Sequence, residues 1–155
     1  MKKTILLVLC LALGSFALTG CSGSSESFAE KSYTPDTQIG EMNLAVRDRE
    51  IEVTLSEDDQ VHIQYYENSE EYYDISVSGN VLTMTSASDK EWTNYIGGKP
   101  AAEYRKISLQ LPDALLENLT LSTTNEDITL SSLAVTGSIN ISSNGGNITF
   151  ERLDV

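Results

Sequence analysis

Residues 118–135 read NLTLSTTNEDITLSSLAV and residues 138–155 read SINISSNGGNITFERLDV, the same pattern displaced by 20 residues. Leu119 and Leu121 answer to Ile139 and Ile141, and Ile128-Thr129-Leu130 to Ile148-Thr149-Phe150. Leu133 and Val135 answer to Leu153 and Val155. Asn125-Glu126-Asp127 falls on Gly145-Gly146-Asn147, where each unit must turn. The apolar residues come in pairs spaced by two, so each pair projects to one face of a short strand. A unit too short to close its own core buries those pairs by stacking on its neighbour. The expected arrangement is a β-solenoid-like (β-helix) stack of 20-residue coils, paired in parallel about 4.8 Å apart. Successive antiparallel hairpins in a sandwich are the alternative. The last unit reaches Val155 without a polar cap, leaving Leu153, Val155 and a strand edge uncovered. Such an end reads as that of a truncated product, or as the site of an end-to-end contact with another molecule.

Upstream of the repeat the period is also two. Met42, Leu44 and Val46 alternate with polar residues, as do Ile51, Val53 and Leu55, then Val61, Ile63 and Tyr65. Tyr73, Ile75 and Val77 follow, then Val81 with Thr83 or Leu82 with Met84, and finally Ile107, Leu109 and Leu111. Each run predicts a half-buried strand. Ser78-Gly79-Asn80 marks a short hairpin, because Gly and Asn tolerate positive φ. Residues 86–104 form one long irregular segment containing Gly97-Gly98-Lys99-Pro100 and the single tryptophan. No amphipathic helix is evident. The class is therefore all-β: antiparallel N-terminal strands over 39–112 lead into the repeats of 113–155.

The N-terminus reads differently. Lys2 and Lys3 precede an apolar run from Ile5 to Leu13, which extends through Gly14-Ser15-Phe16-Ala17 to Leu18-Thr19-Gly20-Cys21. That run is shorter than the ~20 apolar residues a comfortable membrane span needs, so residues 1–20 read as a signal peptide. Leu18-Thr19-Gly20-Cys21 resembles the lipobox of bacterial lipoproteins. The resemblance implies cleavage before Cys21 and a diacylglycerol thioether, with palmitate-type chains, on its thiol. Two acyl chains give stable attachment where one does not. The implied location is the extracytoplasmic face of the cell membrane, with the membrane as a partner through the lipid anchor. Cys10 would leave with the leader, so no disulfide and no cysteine metal site is expected. Residues 21–38, beginning Cys21-Ser22-Gly23-Ser24-Ser25-Glu26-Ser27 and interrupted by Pro35-Asp36, read as a flexible tether.

The chain carries 23 acidic and 10 basic residues, a formal net charge of −13. Such a chain repels nucleic acid and anionic head groups and leaves cationic partners electrostatically allowed.

The β region resembles a family of bacterial β-strand repeat proteins labelled putative adhesins, a domain of unknown function. The resemblance rests on Glu50 to Leu55, on Ser78-Gly79-Asn80-Val81-Leu82, on the strand from Ile107 to Pro112 that ends in Leu-Pro, and on coils of the type T-x-N-G-D-I-x-L. Here the coil is Thr123-Thr124-Asn125-Glu126-Asp127-Ile128-Thr129-Leu130, with Glu126 where the family usually has glycine. The second coil has Gly146 there, but Asn147 in place of Asp. The resemblance implies a surface adhesion role, no cofactor and no catalytic residues.

Individual residues add little chemistry. His62, the single histidine, lies between Val61 and Ile63 and should face solvent without a nucleophile or ligand cluster. Glu57-Asp58-Asp59 and Asn125-Glu126-Asp127 offer oxygen atoms that calcium could use, although turn chemistry explains both, and no metal is expected. Trp92, Tyr95 and Tyr104, beside Asp89, Asn94 and Glu103, could stack on sugar rings, and a glycan-binding module built on the Trp92 loop is the alternative function. No spacing singles out a nucleophile with its base or a pair of converging carboxylates, so the chain reads as non-enzymatic.

Overall fold

A computed structural model describes residues 27–88, 98–131 and 133–151. The leader, Cys21, Trp92, Tyr95, Leu153 and Val155 lie outside the described residues.

Eleven strands are present among these residues: β1 (Ala29–Tyr33), β2 (Glu41–Ala45), β3 (Glu50–Leu55), β4 (His62–Glu67), β5 (Glu71–Ser78), β6 (Val81–Ser88), β7 (Lys106–Leu111), β8 (Asn118–Thr123), β9 (Ile128–Ser131), β10 (Ser138–Ser143) and β11 (Ile148–Glu151). Among the described residues one 3-10 turn spans Ala102–Tyr104. One sheet runs β1-β4-β7-β3-β9-β11 and the other β10-β8-β2-β6-β5. The fold is nearly all-β and solenoid-like.

The repeat behaves as its pattern demands. β8 pairs in parallel with β10, setting Leu119 beside Ile139 and Leu121 beside Ile141. β9 pairs in parallel with β11, setting Ile128 beside Ile148 and Leu130 beside Phe150. The inner faces of the two sheets share one core, where Leu119, Leu121 and Ile128 are fully buried.

The N-terminal region departs from the expected arrangement. It does not form an antiparallel block ahead of the coils, because β2 and β3 are themselves a coil. Met42 and Leu44 lie beside Leu119 and Leu121, and Ile51 and Val53 lie beside Ile128 and Leu130, all in parallel register. The reason is the step between paired strands. Met42 to Ile51 spans nine positions, as do Leu119 to Ile128 and Ile139 to Ile148. On the other side of this coil lie β6 and β7, with Leu82 and Met84 beside Met42 and Leu44, and Ile107 and Leu109 beside Ile51 and Val53. That coil is the same unit, although its two strands lie further apart in the sequence, Leu82 and Ile107 being separated by 25 positions. The spatial order of coils is thus β6/β7, β2/β3, β8/β9, β10/β11, which is not the order of the sequence.

Antiparallel pairing is confined to the other end, where β5 lies on β6, β4 on β7 and β1 on β4. There Tyr65 and Tyr73 meet edge to face at 5.2 Å and close the core. The hairpin at Gly79-Asn80 joins Ser78 to Val81 directly, with Gly79 at φ 62°. β1 falls inside the stretch read as tether. Its residues are mostly exposed and show no apolar alternation, because backbone pairing to β4 holds the strand.

Candidate functional site

Two regions collect chemistry: the corner column between paired strands, and the outer edge of the stack.

At the corner the turn motif has a structural job. Thr123 is buried, and its hydroxyl donates to the Arg49 carbonyl at 2.7 Å while accepting from the Arg49 N–H at 3.3 Å. Ser143, the aligned residue one coil further, repeats the bond by donating to the Glu126 carbonyl at 2.8 Å. Asp48 and Asn125 occupy equivalent positions and share positive φ, 52° and 56°, and the Asn125 amide donates to Asp48 at 3.1 Å. Asn and Asp tolerate that region because their short side chains bond locally. At Gly146 a Cβ would overlap the Glu126 carbonyl, so only glycine fits there.

The residue that departs from the family pattern is also accounted for. Glu126 accepts from Lys99 at 2.6 Å and from Arg105, which ties both ends of the Lys99–Arg105 segment to the corner. The bond to Glu126 raises the Lys99 ammonium above its ordinary pKa. Asp127 accepts from the Asn147 backbone at 2.7 Å. The oxygens of Asn125-Glu126-Asp127 therefore serve the stack. Among the described residues no group of three His, Cys, Asp or Glu is placed to hold a metal ion.

Arg49 is the one buried charged residue among the described residues, 5% exposed. Its Nε donates to the Tyr73 hydroxyl at 2.7 Å, one terminal nitrogen donates to Glu71 at 2.6 Å, and the other to the Asp48 carbonyl at 3.2 Å. Burial pushes the Tyr73 phenol above its usual range, and the Arg49 charge partly opposes it. A cleft of about 430 Å³ opens here, bordered by Arg47, Arg49, Tyr72, Ser88 and Lys99. Sequence reading missed this cluster, since Arg47-Asp48-Arg49-Glu50 looks like any charged turn.

His62 is not isolated. Its Nε2 lies 2.9 Å from Asp58, and its Nδ1 lies 2.9 Å from the Thr34 hydroxyl. A carboxylate cannot donate, so Nε2 carries the proton, and in the neutral ring Nδ1 accepts from Thr34. The Asp58 spacing of four residues was readable in the sequence, whereas Thr34 was hidden in the presumed tether. This line of hydroxyl, imidazole and carboxylate lies on the surface and links the end of β1 to the turn between β3 and β4. Bonds from Ser56, His62 and the Gln60 backbone hold the Asp58 carboxyl down at about 2. A carboxyl lowered on folding contributes stability above its unfolded pKa and loses it on acidification. Wild type should therefore exceed Asp58→Asn in urea midpoint at neutral pH, and the difference should vanish between about pH 4 and pH 2. A difference independent of pH would contradict this assignment.

Tyr104 stacks on Phe28 at 5.2 Å and meets Tyr66 at 5.7 Å, a packing role that needs no sugar. Asn118, in one of three Asn-x-Ser/Thr sequences, accepts from the Ser138 hydroxyl at 2.8 Å.

At the outer edge, β10 and β11 have a neighbouring strand on one side only among the described residues. Ile139 is 40% exposed, Ile148 39% and Phe150 65%, although the residues aligned with them are buried in every inner coil.

A solved structure from Clostridium sporogenes, a putative cell adhesion protein, matches with TM-score 0.52 and 10% identity, covering 79% of this chain and 59% of that one. A putative adhesin from Parabacteroides merdae matches with TM-score 0.38 and 14% identity, over 81% of this chain and 57% of that one. A putative lipid binding protein from Parabacteroides distasonis matches with TM-score 0.41 and 13% identity, over 82% and 60%. The chain thus spans less than two thirds of these structures, and at such identities the likeness to the first shows the fold alone. No curated protein sequence matches. The family model that matches covers residues 39–155, which take in every strand from β2 to β11, and the chain belongs to the Toastrack DUF4097 family.

Proposed function

We propose that this protein is a membrane-anchored extracytoplasmic lipoprotein, held through Cys21, that acts as a non-enzymatic adhesin-like module at the cell surface or envelope. The observation that carries the reading is the polarity of the stack. Near the start of the described residues Phe28 is pinned to Tyr104, and β1 is one edge of its sheet. β11 is the opposite edge, five strand spacings away, roughly 24 Å at about 4.8 Å each. A leash from Cys21 therefore meets the charged, closed end, and the exposed apolar edge points away from the attachment. The putative cell adhesion protein of similar fold supports the adhesin-like part.

The reading makes a direct prediction. The full-length chain in a bacterial host takes up radiolabelled palmitate and fractionates with membranes, whereas Cys21→Ala is unlabelled and leaves the membrane fraction. A Cys21→Ala chain that keeps its label overturns the anchor.

A further inference from the structure

A second cavity, of about 320 Å³, opens where three connecting segments meet: 34–40 between β1 and β2, 56–61 between β3 and β4, and 112–117 after β7. Buried Pro35, Val61 and Pro112, with half-buried Leu115, give it an apolar wall. Two exposed carboxylates, Asp36 and Asp59, complete the lining that matters for charge. Asp58 next to them is taken up by Ser56, His62 and the Gln60 backbone. Asp36 and Asp59 have no side-chain hydrogen bond or ion pair among the described residues.

The walls are set in place by bonds that no ligand has to make. Thr34 is tied to His62 at 2.9 Å, and the Glu117 N–H donates to the Gly40 carbonyl at 2.6 Å. Ala114 is held at φ 57°, a strained value for alanine, by the bond from its N–H to the Ala134 carbonyl at 2.9 Å. A cavity organised in advance loses less free energy to ordering when it is filled.

We infer that this cavity binds a primary ammonium carried on an alkyl chain, the chemistry shared by a lysine side chain and a free alkyl diamine. The alkyl part lies on Val61, Pro112 and Leu115, and the ammonium stays in water beside Asp36 and Asp59, as lysine stems and heads divide at protein surfaces. Other cations fit the lining less well. A quaternary ammonium is held by aromatic faces, and no aromatic residue lines the cavity among the described residues. A divalent ion needs a dense set of oxygen ligands, and no group of three acidic or histidine side chains converges among the described residues. Size agrees, since ligand cavities run from about 300 to 1,000 Å³ and this one is at the small end, suited to a single side chain. No lysine or arginine among the described lining residues competes for the carboxylates, and a chain at −13 draws cations toward it. This site goes beyond the surface-module reading and does not depend on the lipid at Cys21.

A methyl NMR titration of the full-length chain in a neutral detergent tests it, with cadaverine and Nα-acetyl-lysine amide as the probes. Saturable shifts of the Val61 and Leu115 methyls are expected at millimolar amine. Asp36→Asn and Asp59→Asn should each weaken binding about two- to fivefold, the range of an exposed ion pair. Both side chains are exposed, so neither change disturbs the core. Nα,Nε-diacetyl-lysine amide, which has lost the charge, should leave the methyls unmoved. Saturation by cadaverine alone assigns the site to free amines, and saturation by the lysine amide assigns it to a lysine of a partner chain. Absence of saturation with both amines overturns the inference. So does an equal response to the neutral analogue, or an affinity unchanged in both Asn variants. None of these results bears on palmitate labelling, so failure here and failure of the anchor are told apart.

Discussion

Arg49→Met is expected to destabilise the fold by about 3–5 kcal/mol, read as a lowered urea midpoint with unchanged slope. The guanidinium is buried and divides its donors among Tyr73, Glu71 and the Asp48 carbonyl. Methionine fills much of the space but takes away the guanidinium that donates to the Glu71 carboxylate, whose side chain is only 14% exposed. Removing one member of a buried ion pair costs more than the intact pair contributes. Adding Glu71→Gln to Arg49→Met should therefore recover part of the loss, because it removes a part-buried charge that has lost its cation. Arg49→Lys should recover little, since an ammonium cannot place donors on a phenol, a carboxylate and a carbonyl in one plane. Equal stability of Arg49→Met and wild type would show that the corner is not held by this cluster.

Leu121→Ala should cost about 3–5 kcal/mol, whereas Ile141→Ala, one coil further along the same row, should cost under about 1.5 kcal/mol. Leu121 is fully buried between Leu44 in one coil and Ile141 in the next. Its truncation leaves a cavity walled by β-strand side chains on both sides, and a sheet has little freedom to collapse into it. Among the described residues no coil lies beyond Ile141, which is only half-buried. Since natural domains are stable by only about 5–15 kcal/mol, the first change would consume much of the total. Comparable costs at the two positions, measured by chemical denaturation, would contradict the placing of β8/β9 as an inner coil and β10/β11 as the outermost of the described coils.

How much of this was legible depended on which force held each element. The strands of alternating hydrophobicity were legible, since inward apolar residues are what the core requires. So were the hairpin at Gly79 and the unit from Leu119 to Phe150. The coil made by β2 and β3 was not, although its inward residues have the same nine-position step. Its corner, Arg47-Asp48-Arg49-Glu50, shares no residue with Asn125-Glu126-Asp127 and does the same work through Arg49 and Asp48 in place of a glycine turn. β1 was hidden because edge pairing to β4 uses backbone groups, which leave no trace in side-chain pattern. At the candidate sites, sequence spacing showed neither the Thr34–His62 contact nor the Arg49–Tyr73 bond, since each joins residues more than twenty positions apart.

The order of the coils puts Phe28 and the exposed β10/β11 coil at opposite ends of the described stack, so that order is the claim to test. Nuclear Overhauser contacts between backbone protons of neighbouring strands report it directly. The stack predicts parallel contacts linking Asn43 to Thr120, Glu52 to Thr129 and Thr120 to Asn140. Antiparallel contacts joining β8 to β9 across the Asn125 turn, with none between Asn43 and Thr120, would mean successive hairpins and would contradict the account.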